Sequence, residues 1–136
     1  EAPNGIGLSE DENTVFVAET PTGKVWAFDL VGPGELKSGK DAKRVLSGRE
    51  GHFMFDSLAL DANGDVCVAT LIDGGITTLS DRNEPAKFIT MPDRITTNIC
   101  FGGEGLKTAY ITLSSTGQLV AMDWPVGGLP LNFVNK

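Results

Sequence analysis

Three segments of this chain open on a polar side chain that carries an oxygen donor. They are Asn4 in NGIGLSEDENTVFVAE, Asp56 in DSLALDANGDVCVAT and Asn98 in NICFGGEGLKTAYIT, and the three starts lie 52 and 42 residues apart. An amide oxygen ligates a cation without adding charge, and a carboxylate neutralises one. Gathered at one point, such side chains suit hard divalent ions such as Ca²⁺, Mg²⁺ or Mn²⁺. The same residue types also satisfy backbone groups at turns and do nothing else. The residues alone leave both roles open. Zn²⁺ usually prefers His or Cys, and the sole histidine, His52, stands in no ligand pattern and reads as a surface loop residue.

Other chemistries find less support. There is no G-x-S-x-G elbow, and one histidine among scattered serines does not make a Ser-His-Asp arrangement. The glycines of VGPGEL and DGGI do not lie between a strand and a helix, so they read as turns rather than a phosphate cradle. The acidic turns SEDEN and LDANGD lack the spacing of an EF-hand loop and read as solvated. Trp26 and Trp124 occupy what look like matching places in KVWAFDL and VAMDW, where packing explains them better than sugar stacking.

The elements that must position these residues are strands. Short runs rich in Val, Ile, Thr and Phe recur along the chain: TVFVAE, KVWAFDL, SLALD, DVCVAT, GITTLS, KFIT, NICFGG, TAYITL and QLVAMDW. Each is bounded by Gly, Asp, Asn or Pro, the signature of strands and hairpins. No segment shows the 3.6-residue period of an amphipathic helix. ELKSGKDAKR is charged enough for one, but Gly39 interrupts it and a loop is expected. After each of the three segments a third strand follows: KVWAFDL after TPTG, GITTLS after LIDG, and QLVAMDW after SSTG. A repeat of this length matches the blades of a β-propeller, about 40–50 residues each. The expectation is an all-β chain of about three antiparallel blades, over residues 4–50, 51–95 and 96–136, with a β-sandwich as the alternative. Three blades do not close a ring, since known propellers need about four or more. Either further blades belong to a longer chain, or copies associate to supply them.

Bulk composition agrees with one globular domain. The 136 residues are 40% hydrophobic and 21% charged, which argues against disorder. A net charge of −7 disfavours a nucleic-acid partner. No apolar run approaches the ~20 residues that cross a bilayer, and EAPNGIG has neither the basic nor the apolar region of a signal peptide. No membrane partner is therefore expected. Cys67 and Cys100 sit in apolar runs and read as free buried thiols, with one disulfide as the alternative. Free thiols favour a reducing, cytoplasmic compartment.

With these residues in view, the chain resembles a known family. PNGIGLS…VFVAET…GKVWAFDL, FDSLALDANGDVCVATLIDGGITTLS and TTNICFGGEGLKTAYITLSSTGQLVAMDWPVGGLPLNF are similar to the C-terminal half of the gluconolactonase family, which includes senescence marker protein and luciferin-regenerating enzyme. The resemblance covers Pro3 to Phe133 and is most specific in TTNICFGG and AMDWPVGGLPLNF. It implies about three blades of a six-bladed propeller with one divalent metal in the central channel, and hydrolysis of sugar lactones or related esters. By the same resemblance Asn4 and Asp56 match metal ligands, and Asp56 also matches the general base. A third ligand, a Glu from the first blade, has no counterpart here. Ca²⁺ is the ion expected first, with Mg²⁺, Mn²⁺ or Zn²⁺ as alternatives.

The implied chemistry is polarisation of a lactone carbonyl by the metal, with a water activated beside Asp56 as nucleophile. A carboxylate that ligates a cation is a weaker base, so part of the activation must come from the metal acidifying the water. Asn98 matches no principal ligand of the family and is expected to have a structural or substrate-neighbouring role. Ser57 and Phe55 stand where the family commonly has Gly and Pro, and Cys67 where it often has an aromatic; these departures bear on substrate more than on fold. The rival reading is a non-catalytic half-propeller, or a module that self-assembles into a homodimer to present a binding surface.

Overall fold

The structure, a computed structural model, describes residues 1–46, 51 and 53–134. Among these residues three antiparallel sheets follow one another along the chain. The first holds β1 (Pro3–Leu8), β2 (Thr14–Glu19), β3 (Lys24–Gly32), the two-residue β4 (Glu35–Leu36) and β5 (Lys43–Leu46). In the second, β6 (Met54–Leu60), β7 (Val66–Leu71), β8 (Gly75–Leu79) and β9 (Lys87–Thr90) pair in order. The third is β10 (Thr96–Gly102), β11 (Thr108–Leu113) and β12 (Gln118–Asp123). A single 3₁₀ turn, Glu104–Leu106, is the one helical element described. ELKSGKDAKR forms no helix; it supplies β4 and the start of β5.

The sheets pack face against face, and the burial pattern of each strand follows from how many faces are covered. In β2 and β3, Phe16, Ala18, Val25 and Ala27 point into the seam with the second sheet and are buried. Val15, Val17, Trp26 and Phe28 alternate with them on the open side and are only half-buried. β7 has no such alternation, because both of its faces are covered. Val66 and Val68 join the core shared with the first sheet, while Cys67 and Ala69 join the core shared with the third. All four are fully buried. The uninterrupted VCVA run is thus the mark of the central blade. The innermost strands β1, β6 and β10 lie side by side in that order, β6 touching both of its neighbours.

One sequence expectation changes at this level. The LDANGD turn is not solvated: Asp61 and Asp65 are 2% and 3% exposed. Asp61 Oδ1 accepts the N–H groups of Asn63 (2.9 Å) and Asp65 (3.0 Å), and the Asp65 carboxylate meets Arg82 at 2.8 Å. The C-terminal segment explains the burial, for Asp61 bridges to Gly128 and Leu129 N–H donates to Leu60 C=O (2.9 Å). The SEDEN turn, by contrast, is exposed, and there Asp11 accepts from Ser9 and Asn13.

Burial pushes the Asp61 carboxyl above the ordinary carboxylate range, against the pull of its two backbone donors. A carboxyl that holds its proton more tightly folded than unfolded contributes stability that is full in acid and lost as pH rises through its folded pKa. Asp61→Asn keeps an acceptor for both N–H groups and removes the titration. Relative to the parent, the variant should therefore gain stability as pH is raised from about 4 to 7. Thermal melts across that range test this; a difference that does not vary with pH would count against it.

Candidate functional site

Each inner strand carries one β-bulge, and in all three blades it falls at or beside the residue singled out in the sequence. In β1, Pro3 pairs with Glu19 and Ile6 with Val17, so Asn4 and Gly5 together face the single residue Ala18. In β6, Phe55 pairs with Thr70 and Leu58 with Val68, so Asp56 and Ser57 face Ala69. In β10 the irregularity lies between Thr96, paired with Leu113, and Asn98, paired with Thr112. A bulge adds a residue to one strand, sharpens its twist and re-aims a side chain, which is why bulges recur beside active sites.

The register corrects the repeat as read from sequence. Ile6, Leu58 and Ile99 occupy equivalent places opposite Val17, Val68 and Ile111. Counting back two residues, the third counterpart of Asn4 and Asp56 is Thr97, not Asn98. Asn98 turns its side chain to local use, its Oδ1 accepting the N–H of Ile99 at 2.9 Å. Thr97 instead meets two further hydroxyls, Thr112 Oγ1 and Ser114 Oγ, each at 2.9 Å.

The first two bulges are held against each other by glycine. A Cβ on Gly5 would stand 2.7 Å from the carbonyl oxygen of Asp56 and 2.7 Å from the N–H nitrogen of Leu58. Both contacts are backbone, so nothing flexible can yield, and only glycine permits this approach. The Asn4-Gly5 pair therefore combines an oxygen donor with the absence of a side chain that brings it beside Asp56.

Around this contact the polar atoms are sparsely engaged. Asn4 is exposed and its Nδ2 donates to Thr20 Oγ1 at 3.3 Å, while among the described residues nothing engages its Oδ1. Asp56 is half-buried, and among the described residues no hydrogen bond or ion pair engages its carboxylate. No group of three or more His, Cys, Asp and Glu side chains converges among the described residues. What three neighbouring inner strands offer is an amide oxygen, a carboxylate and a hydroxyl. That oxygen-only set fits a hard divalent cation with remaining positions filled by water or other donors.

Other candidates fall away. Burial pushes the Cys67 thiol up to about 12, so it is inert at neutral pH. Cys100 is exposed, not buried as expected, and both cysteines are free. His52 lies outside the described residues. Trp124 packs on Phe101, with ring centroids 6.0 Å apart, in the core between the second and third sheets. Trp26 is not its counterpart: it sits mid-strand on the open side of the first sheet, near the ammonium groups of Lys24 and Lys43.

A cleft of about 1090 Å³ lies along that open side and reaches the C-terminal segment, with Ile6, Leu8, Leu30, Leu36 and Leu131 in its walls. It is an uncovered blade face rather than a substrate pocket. Ile6 is 68% exposed, whereas its counterparts Leu58 and Ile99 are 9% and 2% exposed against the blade that precedes each.

Comparisons with known proteins bear on the family and the fold. The family model described as SMP-30/gluconolactonase/LRE-like region matches residues 1–115. The 6-deoxy-6-sulfogluconolactonase of Pseudomonas putida is 28% identical over 127 residues, which are 92% of this chain and 43% of that protein. Diisopropyl-fluorophosphatase of Loligo vulgaris is 26% identical over 131 residues, 93% of this chain and 41% of that protein. The crystal structure of regucalcin from Agrobacterium tumefaciens, described as a calcium-binding protein, superposes with a TM-score of 0.74 at 20% identity. The match covers 93% of this chain and 47% of that one. The chain thus spans less than half the length of the curated relatives it matches. Its sheets are about three blades of a propeller of this type, and the chain belongs to the SMP-30/gluconolactonase/LRE-like family.

Proposed function

We propose that the protein carrying this chain hydrolyses a sugar lactone with the help of one divalent cation, Ca²⁺ first among the candidates. The observation that carries the reading is the pair of neighbouring bulges. They set Asn4 and Asp56 on adjacent inner strands whose backbones meet at Gly5, and among the described residues neither the amide oxygen nor the carboxylate has another partner. Support comes from the 6-deoxy-6-sulfogluconolactonase relative and the calcium-binding structural neighbour.

Asn4 Oδ1 and the Asp56 carboxylate would hold the ion. When bound, it supplies Lewis acidity to the lactone carbonyl and lowers the proton affinity of an adjacent water. Asp56 takes a proton from the water as its oxygen attacks the carbonyl carbon. The ring C–O bond then breaks, and the ring oxygen leaves with a proton to give the open-chain hydroxy acid. Asn4 adds ligation without a second negative charge, so the pair does not over-neutralise the ion.

Chelation tests the reading. Acid release from a sugar δ-lactone, followed at constant pH above the uncatalysed rate, should fall at least about a hundredfold in EDTA. It should return when Ca²⁺ is restored. Hydrolysis that is indifferent to chelation would sink it.

A further inference from the structure

An asparagine that ligates through its oxygen faces a choice that an aspartate does not. The two ends of its amide are nearly the same size, yet only Oδ1 attracts a cation, and Nδ2 repels it. Something must decide which end points at the ion.

The structure assigns that task to Thr20, as a positioning residue for Asn4. This inference rests on the reading that Asn4 ligates a divalent cation. Thr20 immediately follows β2, and its Oγ1 accepts from Asn4 Nδ2 at 3.3 Å. With Nδ2 so occupied, Oδ1 is the end left for the ion. The threonine is itself anchored, for its N–H donates to Ala2 C=O at 3.2 Å.

The arrangement recurs where it is needed and is missing where it is not. In the third blade Ser114 follows β11, its N–H donates to Ile95 C=O at 2.8 Å, and its hydroxyl lies 2.9 Å from Thr97 Oγ1. Ser114 is thus the register counterpart of Thr20, as Thr97 is of Asn4. In the second blade the equivalent place, opposite Met54, is Leu71, whose side chain has no polar atom to offer Asp56. A carboxylate presents two equal oxygens and needs no such guide. Two blades whose bulge residue has a hydrogen to direct carry the hydroxyl. The blade with a carboxylate carries leucine.

Removing a partner of this kind typically weakens metal binding about 10–100-fold. The test is Ca²⁺ binding by titration calorimetry on the protein at its natural length. The variants are Thr20→Val and Thr20→Ser, alone and in an Asn4→Asp background, with Asn4→Ala as reference. Thr20→Val matches threonine in shape and lacks the hydroxyl. It should raise the Ca²⁺ Kd by roughly tenfold or more, whereas Thr20→Ser should keep the parental value. In the Asn4→Asp background Thr20→Val should have no effect, because the orientation no longer matters. Three results overturn the proposal. A parental Kd in Thr20→Val, with loss in Asn4→Ala, removes the positioning role and leaves the cation reading intact. Equal losses in Thr20→Val and Thr20→Ser, or a loss that persists in the Asn4→Asp background, assign the effect to packing instead. A parental Kd in Asn4→Ala removes the cation reading itself, and the role of Thr20 with it.

Discussion

Replacing Asp56 by alanine is expected to lower kcat/KM for lactone hydrolysis by roughly 10²–10⁴-fold, the range associated with loss of a general base. Loss of a ligand adds to that. The fold should survive, because among the described residues the carboxylate is bonded to nothing and the side chain is half-buried rather than packed in either core. Asp56→Asn separates the two roles: it keeps an oxygen that can ligate but cannot accept the water proton. The asparagine variant should therefore retain more Ca²⁺ affinity than the alanine variant while remaining poorly active. Initial rates at constant pH, together with calorimetric titration, provide the check. Full activity in either variant would exclude Asp56 as the base.

One residue earlier on the same strand the consequence should be the opposite. Phe55 is 1% exposed, packs on Phe53 with ring centroids 5.0 Å apart, and belongs to the core between the first two sheets. Phe55→Ala should cost about 3–5 kcal/mol, the usual penalty for emptying a large aromatic site in a close-packed interior. The cavity would open at the seam that holds Gly5 against the Asp56 backbone, so cation affinity should fall as well. Denaturant unfolding measures the first effect. A loss below about 1 kcal/mol would mean that the seam is not close-packed. Strand alternation turns Asp56 out of the seam while Phe55 stays in it, so Asp56→Ala should cost the site alone and Phe55→Ala the fold as well.

Part of the site is legible in the sequence. Polar residues with oxygen donors at the head of each repeat are visible as letters, and so is the glycine after Asn4. The register of the third blade was not visible. TTNIC contains an asparagine that rhymes with Asn4, and a bulge leaves no mark in composition, because any residue can occupy it. Only the pairing of Thr96 with Leu113 and Asn98 with Thr112 shows that Thr97 is the counterpart. The burial of Asp61 and Asp65 was hidden for a similar reason. A DANGD turn looks solvated until a segment more than sixty residues later crosses it at Gly128. Cys100 and Cys67 both sit in apolar runs, yet Cys67 faces a covered seam and Cys100 does not.

What the sequence determined by itself was whatever depends on local pattern: short β-rich runs with turn residues between them, their threefold recurrence, and hence blades. The resemblance carried in those letters also pointed to the family that the comparisons show. Tertiary structure alone decided which face of each strand is covered, where each bulge falls, and which hydroxyl reaches the Asn4 amide. Those depend on contacts between residues far apart in the chain. A one-residue change of register in a strand moves a side chain from one face to the other without altering a single letter.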